Sequence, residues 1–200
     1  MTDSKIHLAS SSARRREILT SLGVRFSWAA TDADESVHPG ETAESLVVRL
    51  AMAKARVAGA REGTVVLAAD TVVVVHSDIL GKPTDSDDAV NMLLRLSGRE
   101  HRVLSGVAVL EGGRLLTAIS STLIRFRTVS PEEARSYCAT GECDGKAGAY
   151  AIQGLGGVFV ESLSGSYSGV VGLPVFETVE LLRQAGVDIW KHTTIARAAE

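Results

Sequence analysis

Serines and arginines are concentrated in residues 8–19, which read LASSSARRREIL and precede a predicted helix. Ser10 or Ser12 can cap this helix, and the free amides of its first turn then face the same space as Arg14 and Arg15. Guanidinium groups, hydroxyls and helix-terminal amides all suit phosphate oxygens. The alternative is a solvated basic helix face. Because three cations in a first turn oppose the helix dipole, their placement favours a nearby anion.

A lysine interrupts the apolar face of the next predicted helix. Val47, Leu50, Lys54 and Val57 follow a helical spacing, so Lys54 lies in the middle of an apolar stripe. The pattern leaves two alternatives open. Either the lysine extends along its methylene stem to the surface, or it faces inward and binds an anion.

A carboxylate interrupts the apolar run of residues 65–75, which is otherwise typical of a buried strand. Burying Asp70 unpaired costs several kcal/mol, so we expect it to pair with a cation or a metal, or to lie where the strand enters a cleft. A structural salt bridge is one alternative. Beside a phosphate site, a metal ligand or general base is the favoured interpretation.

Two further charged residues lie in predicted loops. Glu35 belongs to the acidic segment 32–36, and together with Asp70 it can hold Mg²⁺, which favours one or two carboxylates. Acidic loops are more often simply solvated. Lys82 lies in the rigid turn Gly81-Lys82-Pro83, a tripeptide that is more often a plain turn than a binding site.

Composition limits the class of protein. The chain has 200 residues, 45% of them hydrophobic, and a net charge of -3, which argues against a general nucleic-acid binder. No apolar run is long enough to cross a bilayer, and we expect a cytoplasmic protein without a membrane partner. Cys138 and Cys143 are too few for a zinc site, so reduced thiols are expected. We predict one domain of residues 1–200, with its core at about 6–190 and a frayed tail at 191–200.

Helices and strands alternate along the chain, but a hairpin interrupts the pattern, so an α/β fold with a mixed sheet is predicted. The hairpin is indicated by Glu111-Gly112-Gly113-Arg114 within residues 101–127, and Ser130-Pro131 opens a capped helix. The other predicted elements are helices at 14–22, 42–60, 85–96 and 174–185, a strand at 65–75 and a turn at 76–83.

Taken together, these residues resemble the Maf family of nucleoside triphosphate pyrophosphatases, also called septum formation inhibitors. The match runs from about residue 6 to residue 190 in the family's order. The stretch 146–154 resembles the subgroup that acts on dTTP and UTP. The matching segments are 8–17 (LASSSARRRE), 34–36 (DES), 50–55 (LAMAKA), 69–73 (ADTVV), 81–83 (GKP), 101–106 (HRVLSG), 146–154 (KAGAYAIQG) and 165–174 (GSYSGVVGLP).

The resemblance implies an α/β fold with a mixed twisted sheet flanked by helices, and two lobes around a substrate cleft, as in ITPase-like proteins. It implies a divalent metal cation, Mg²⁺ or Mn²⁺, a homodimer, and hydrolysis of a nucleoside triphosphate to the monophosphate and pyrophosphate. It makes Asp70 the proton acceptor and Glu35 a metal-binding or water-orienting carboxylate. The implied catalytic set is Asp70, Glu35, Lys54 and Lys82, and the implied substrate-binding set is Ser10, Ser12, Arg14, Arg15, Thr71 and Gln153, with Glu35 and Asp70 as metal ligands.

Gln153 is the expected reader of the base. Its carboxamide presents one acceptor and one donor side by side, which matches the N3–H and a neighbouring carbonyl of uracil or thymine. The alternative is a glutamine that caps a turn. Gly148, Gly154 and Gly156 are expected to let the backbone crowd the ring and exclude a purine. Gly145 stands where many relatives have aspartate, and neighbouring Asp144 is the candidate replacement.

Two other functions share these residues. One is a nucleotide-sensing regulator of septum formation with little catalysis, but a sensor needs the cations and not the base, so intact Asp70 and Glu35 favour the enzyme. The other is a house-cleaning pyrophosphatase for deaminated purine triphosphates, which differs only in its base pocket.

Overall fold

The computed structural model of the chain describes residues 5–59 and 63–192. Within them, seven strands form one sheet in the order β2-β1-β3-β5-β6-β7, and β4 pairs with β3. The strands are β1 (Lys5–Ala9), β2 (Phe26–Ala29), β3 (Thr64–Val75), β4 (Asp78–Leu80), β5 (Glu100–Glu111), β6 (Arg114–Phe126) and β7 (Val160–Ser164).

The sheet is mixed, as predicted. Strand β1 runs parallel to both β2 and β3, whereas β4 is antiparallel to β3 and β7 is antiparallel to β6. The predicted hairpin is confirmed between β5 and β6. Its turn residues Gly112 and Gly113 have φ values of 53° and 85°, the left-handed conformations that a two-residue hairpin turn needs and that glycine adopts without strain.

The helices begin at capping residues that the sequence largely predicts. Ser12 caps α1, and Ser130 with Glu133 forms a capping box at α4. Among the helices in the described part of the chain, none is long and apolar enough to cross a bilayer. The helices are α1 (Ala13–Ser21), α2 (Ala43–Ala58), α3 (Ser86–Leu96), α4 (Pro131–Cys138), α5 (Tyr167–Val171), α6 (Val175–Gln184) and α7 (Ile189–His192).

The described chain divides into two compact units. The first unit holds the residues up to Asp70, Gly106–Ile119 and those from Gly172 onward, and the second unit holds Thr71–Ser105 and Ser120–Val171. Each has its own apolar core: one centres on Leu8, Leu19, Leu67 and Leu182, the other on Leu93, Leu96, Phe126 and Phe159. That they act as one domain with two lobes around a cleft stays a prediction.

In the first unit, strand register brings the start of α1 to the level of Asp70. Leu8 on β1 lies opposite Leu67 on β3, and the two strands are parallel. Ser10, which follows the last residue of β1, therefore lies close to the level of Asp70 on β3, a strand that continues to Val75. In open α/β sheets, the carboxyl ends of parallel strands are the usual location of ligands.

A glycine allows α2 to pack closely against β5. A Cβ atom at Gly106 would lie 2.4 Å from the carbonyl oxygen of Val47 on α2. Since a real Cβ atom does not approach an oxygen so closely, a larger residue here would push the helix away from the sheet. The close packing carries Lys54, two turns further along α2, into the interior of the unit.

Three expectations need correction or completion. Val57, placed on the apolar stripe, is 55% exposed and lies one residue before α2 ends at Ala58. The predicted turn at 76–83 contains the short strand β4. Residues 144–174, which hold eight of the nineteen glycines, contain β7 and two 3₁₀ turns, Ala147–Ala149 and Leu155–Phe159. Such short elements carry no periodicity.

Cys138 and Cys143 are free, as predicted, and both are buried. The predicted frayed tail of residues 191–200 lies, from residue 193 on, outside the described residues.

Candidate active site

Lys54 is the centre of a buried charge cluster in the first unit. Its Nζ donates to Asp70 Oδ1 at 2.6 Å and lies 2.7 Å from Glu35 Oε1. Lys54 is 7% exposed and Asp70 is 8% exposed. Of the two alternatives for this lysine, the inward-facing one is therefore correct, and the anions that it contacts in the protein are carboxylates.

Asp70 obtains the cationic partner that its position in β3 requires. The strand residues before it, from Val65 to Ala69, are buried, so an unpaired carboxylate here would lose most of its hydration. The ammonium of Lys54 offsets that loss. An ion pair with Lys54 is compatible with a structural or a catalytic role of Asp70. Neutralising Asp70 needs only one cation, but the Lys54 ammonium also contacts a second carboxylate, that of Glu35.

Glu35 lies in the loop between β2 and α2, and Arg49 on α2 fixes that loop. Arg49 binds Glu41 through two hydrogen bonds of 2.6 and 2.7 Å, and its Nη2 donates to the carbonyl oxygen of Ser36 at 2.8 Å. The Arg49 hydrogen bonds lower the pKa of Glu41 to about 2. The residue that follows Glu35 is thus anchored, and Glu35 is held within reach of Lys54.

Arg15 joins the cluster from the first turn of α1. Its Nε donates to the carbonyl oxygen of Gly172 at 2.8 Å, and its Nη1 donates to Ser10 Oγ at 3.1 Å. Burial lowers the pKa of Arg15, and the negative fields of Asp70 and Glu35 oppose that shift. A guanidinium carries five N–H donors and keeps its charge in proteins, so donors remain for a ligand anion.

The serines and the other two arginines of the motif have separate tasks. Ser12 accepts the Arg15 amide at 3.5 Å and caps α1, and the first turn holds no acidic residue. The first turn of α1 therefore supplies no side-chain anion of its own to the positive end of the helix dipole. Arg16 lies over the Trp28 ring at 3.9 Å, a cation–π contact, while Arg14 is half-buried and its charge acts on Arg15.

Three of the predicted site residues belong to the second unit. Ser105 Oγ donates its proton to the carbonyl oxygen of Gly169 at 2.7 Å, so Thr71 Oγ1 must be the donor in its 2.8 Å bond to Ser105. Lys82 follows β4 and Gln153 lies in a turn, and both side chains are exposed.

The three glycines expected to crowd the base pack closely against protein atoms, and their exclusion of a purine stays a prediction. A Cβ atom at Gly148 would lie 2.8 Å from Val73 Cγ2, and one at Gly154 would lie 2.3 Å from Glu142 Oε2. A Cβ atom at Gly156 would meet Ala151 and Tyr137. These contacts by themselves explain why glycine occupies the three positions.

Comparison with known proteins bears on the same residues. A family model described as Maf-like protein matches residues 5–185. The chain belongs to the Maf family. It is similar to the dTTP/UTP pyrophosphatase of Anaeromyxobacter sp. (strain Fw109-5), with 53% identity over 91% of this chain and 90% of that protein. It is also similar to the dTTP/UTP pyrophosphatase of Hahella chejuensis (strain KCTC 2396), with 51% identity over 93% of this chain and 94% of that protein.

A solved structure supports the fold of this Maf chain. The Staphylococcus aureus Ham1 protein matches with a TM-score of 0.50 at 14% identity, covering 90% of this chain and 96% of that one. At this level of identity the likeness concerns the fold alone. It agrees with the mixed sheet flanked by helices that the sequence predicts.

The donor set of this Maf chain fits a hard divalent cation. Among residues 5–59 and 63–192, no group of three or more His, Cys, Asp and Glu side chains is placed to hold a metal. Mg²⁺ nevertheless needs only one or two carboxylates, since waters and substrate phosphates complete its coordination. The oxygens of Glu35 and Asp70 already converge on one cationic group, the ammonium of Lys54.

Gly145, at a position where the resemblance leads us to expect aspartate, has a backbone suited to glycine. Gly145 has a φ of 64°, and no atom lies within 4 Å of the place where its Cβ would be. The left-handed conformation is costly for most side chains. Asp144, the candidate replacement, accepts a contact from the Cys143 thiol at 3.6 Å.

Local patterns in the sequence do not reveal every residue of the site. Ser10, Arg15, Glu35, Lys54 and Asp70 were all singled out, and the structure brings these five together. Arg49 and Glu41 were missed, because their pairing joins a loop to a helix eight residues away and follows no periodicity. The only available signal was an arginine on the same helix as Lys54.

Proposed function

We propose that this chain is a nucleoside triphosphate pyrophosphatase of the dTTP/UTP type. It hydrolyses the bond between the α- and β-phosphates and releases a nucleoside monophosphate and pyrophosphate. The observation that carries the proposal is the Lys54 ammonium shared by Asp70 and Glu35, in a unit whose helix α1 carries Arg15 in its first turn. The relatives named dTTP/UTP pyrophosphatase support it at about half identity over nearly the whole chain.

Asp70 is the proposed proton acceptor for the attacking water. Its carboxylate is buried and held by Lys54, and a positioned side chain within reach of the water is what general base catalysis requires. Lys54 has three N–H donors, two of which point to Asp70 and Glu35. In the proposed complex, Lys54 holds the two carboxylates in place, and its third N–H binds a phosphate oxygen.

In this proposal, several groups besides Lys54 meet the negative charge of the phosphates. Arg15 keeps unused guanidinium donors beside Ser10, and the positive end of the α1 dipole attracts the same anion. Arg14 adds a second guanidinium from the same turn. Lys82 is the proposed ligand of the leaving pyrophosphate, since an exposed ammonium stabilises charge that develops on a departing group. Ser12 contributes through the helix cap.

Gln153 is the proposed reader of the base, and Thr71 is proposed to assist it. Because Thr71 donates to Ser105, its oxygen keeps free lone pairs and can accept a hydrogen bond from the nucleotide. Gln153 is exposed, so its donor and acceptor are open to a uracil or thymine edge.

Glu35 and Asp70 are the proposed ligands of Mg²⁺ or Mn²⁺. When bound, such an ion polarises water and offsets the charge of the phosphates. The side chains present would then divide the work, with Asp70 accepting the proton and Lys54 and Arg15 binding phosphate oxygens. The cytoplasmic location and the homodimer stay predictions.

The test is a substrate panel of UTP, dTTP, CTP, GTP and ITP with Mg²⁺ or Mn²⁺, with the products resolved. We expect pyrophosphate as the first product and a preference for UTP and dTTP. Gln153→Ala should lower kcat/KM for those two by roughly tenfold, since an unpaired buried base edge costs about 1 to 3 kcal/mol. Gln184→Ala, at an exposed glutamine in the first unit, is the matched control. Equal rates with GTP and UTP would contradict the base assignment.

A further inference from the structure

Glu142 ties together two segments of the second unit. Its Oε1 accepts hydrogen bonds from Tyr137 Oη and from the amide of Gly156, each at 2.9 Å, and its Oε2 accepts the amide of Leu155 at 3.0 Å. The carboxylate therefore connects helix α4 to the start of the 3₁₀ turn at Leu155–Phe159. Three donors converge on one charged acceptor, an arrangement that gives strong hydrogen bonds.

Tyr137 extends this network to the other side of the turn. Its hydroxyl accepts the amide of Ala151 at 3.1 Å and donates its proton to Glu142. The ring is buried and packs edge-on against Phe159 at 5.2 Å between centroids. The network therefore binds the backbone on both sides of Gln153, at Ala151 before it and at Leu155 and Gly156 after it.

The glycines after Gln153 are adapted to this network. A Cβ atom at Gly154 would lie 2.3 Å from Glu142 Oε2, and one at Gly156 would lie 2.9 Å from Tyr137 Oη. The turn itself is closed by a bond from the amide of Gly154 to the carbonyl oxygen of Ala151 at 3.1 Å. The backbone on either side of Gln153 is therefore fixed, while its side chain is exposed.

The hydrogen bonds of Glu142 and Tyr137 to Ala151, Leu155 and Gly156 form a clamp on either side of Gln153, and the electrostatics favour the ionised form of the Glu142 carboxylate. Burial favours the protonated form of Glu142, but the amides of Gly156 and Leu155 outweigh it, so the pKa of Glu142 lies below its ordinary value. Burial raises the pKa of Tyr137, so its hydroxyl keeps the proton that it donates.

We propose that Glu142, acting through Tyr137 and the 151–156 turn, is a positioning residue that fixes Gln153 for reading uracil or thymine. The proposal rests on the proposed function, in which Gln153 contacts the base. Uracil offers an N3–H donor beside a carbonyl, whereas cytosine offers an N3 acceptor beside an amino group. A carboxamide rotated by half a turn fits cytosine, so discrimination between uracil and cytosine depends on holding the Gln153 carboxamide in one orientation. A loose backbone would let the side chain adapt to either base.

The variants Glu142→Gln and Tyr137→Phe remove parts of the clamp. In Glu142→Gln, the side-chain NH₂ group faces a backbone N–H. Because both groups are hydrogen-bond donors, that hydrogen bond of the clamp is lost. We expect the ratio of kcat/KM for UTP to that for CTP to fall at least fivefold, mainly because KM for UTP rises while kcat changes by less than about threefold. Tyr137→Phe, which keeps the ring in the core, should lower the same ratio by a smaller factor. This variant tests the proposal if Glu142→Gln does not fold.

The matched control is Glu133→Gln. Glu133 is also a carboxylate of the second unit that accepts a backbone amide, that of Ser130 at 3.0 Å, and binds Arg127. It makes no hydrogen bond to the turn that carries Gln153. We expect it to lower Tm by an amount similar to Glu142→Gln while leaving the UTP to CTP ratio unchanged.

Amide hydrogen exchange measures whether the hydrogen bonds of the clamp are formed, independently of enzyme activity. The amides of Ala151, Leu155 and Gly156 should exchange at least tenfold faster in Glu142→Gln than in the unmodified protein or in Glu133→Gln. If these amides exchange faster and the UTP to CTP ratio is unchanged, the proposal is wrong. It is also wrong if kcat/KM falls equally for all nucleotides.

Failure of this inference is distinct from failure of the proposed function. If the unmodified protein prefers UTP and Gln153→Ala removes the preference while the Glu142 and Tyr137 variants keep it, only the positioning role fails. If the unmodified protein shows no preference among bases, the base assignment fails and the positioning role fails with it.

Discussion

Replacing Lys54 by methionine removes the ammonium that Asp70 and Glu35 share and keeps a side chain of similar length. At the observed 2.6 Å, the attraction between Lys54 and Asp70 is about 6 kcal/mol at an effective dielectric constant of 20, before the cost of dehydrating both groups. Removing one member of a buried pair typically costs about 3 to 5 kcal/mol, because the other charge remains buried. The Glu35 side chain is 45% exposed and adds less than about 1 kcal/mol.

We therefore expect Lys54→Met to lower the free energy of unfolding by about 3 to 4 kcal/mol, measured by urea titration at pH 7. Asp70→Asn should cost less, because Lys54 keeps Glu35 as a partner. The double variant should be more stable than the sum of the single effects predicts, with a coupling of about 2 kcal/mol. Arg183→Met is the control, since its pair with Glu180 is exposed and its removal should leave the midpoint unchanged. Strictly additive effects of the two single changes would refute the buried-pair account.

Three further predictions concern the site and its frame. Asp70→Asn should reduce turnover of UTP roughly 100-fold or more with the circular dichroism spectrum unchanged, because the proton acceptor is lost; near-normal turnover would make Asp70 structural. Arg49→Met should release the Glu35 loop and lower kcat about tenfold in the same assay, and an unchanged kcat would show that the loop needs no anchor. Burial lowers the pKa of His101 from 6.5 to about 4, so between these values the unfolded chain binds a proton that the folded chain does not. Stability should therefore fall as pH drops through that window, by up to roughly 3 kcal/mol, and His101→Phe should flatten this part of the urea-midpoint profile.

The sequence predicts most of the helices and strands that carry the site, because hydrophobic periodicity and helix caps are local signals. The buried strand β3, the helix that carries Lys54 and the capped helix at Ser130 were all expected, and the structure confirms them. The short strands β4 and β7 were not expected, because three to five residues are too few for an alternating pattern to stand out.

The features of the site likewise divide into those that a local sequence pattern predicts and those that require the structure. A lysine on an apolar stripe and a carboxylate in an apolar strand each predict a buried charge that needs a partner. Their partnership with each other and with Glu35 depends on the approach of α2 to the sheet, which Gly106 permits and no local pattern encodes. The Arg49 anchor also joins residues distant in sequence, so it required the structure. The base-reading role of Gln153 comes from family resemblance and stays a proposal.

The most direct test of the central claim is hydrolysis of UTP in ¹⁸O-labelled water, with the products separated and weighed by mass spectrometry. The cluster of Asp70, Lys54 and Arg15 is proposed to direct water at the α-phosphorus, so the account predicts one ¹⁸O atom in the UMP and none in the pyrophosphate. Label in the pyrophosphate, or release of UDP and orthophosphate, would contradict it.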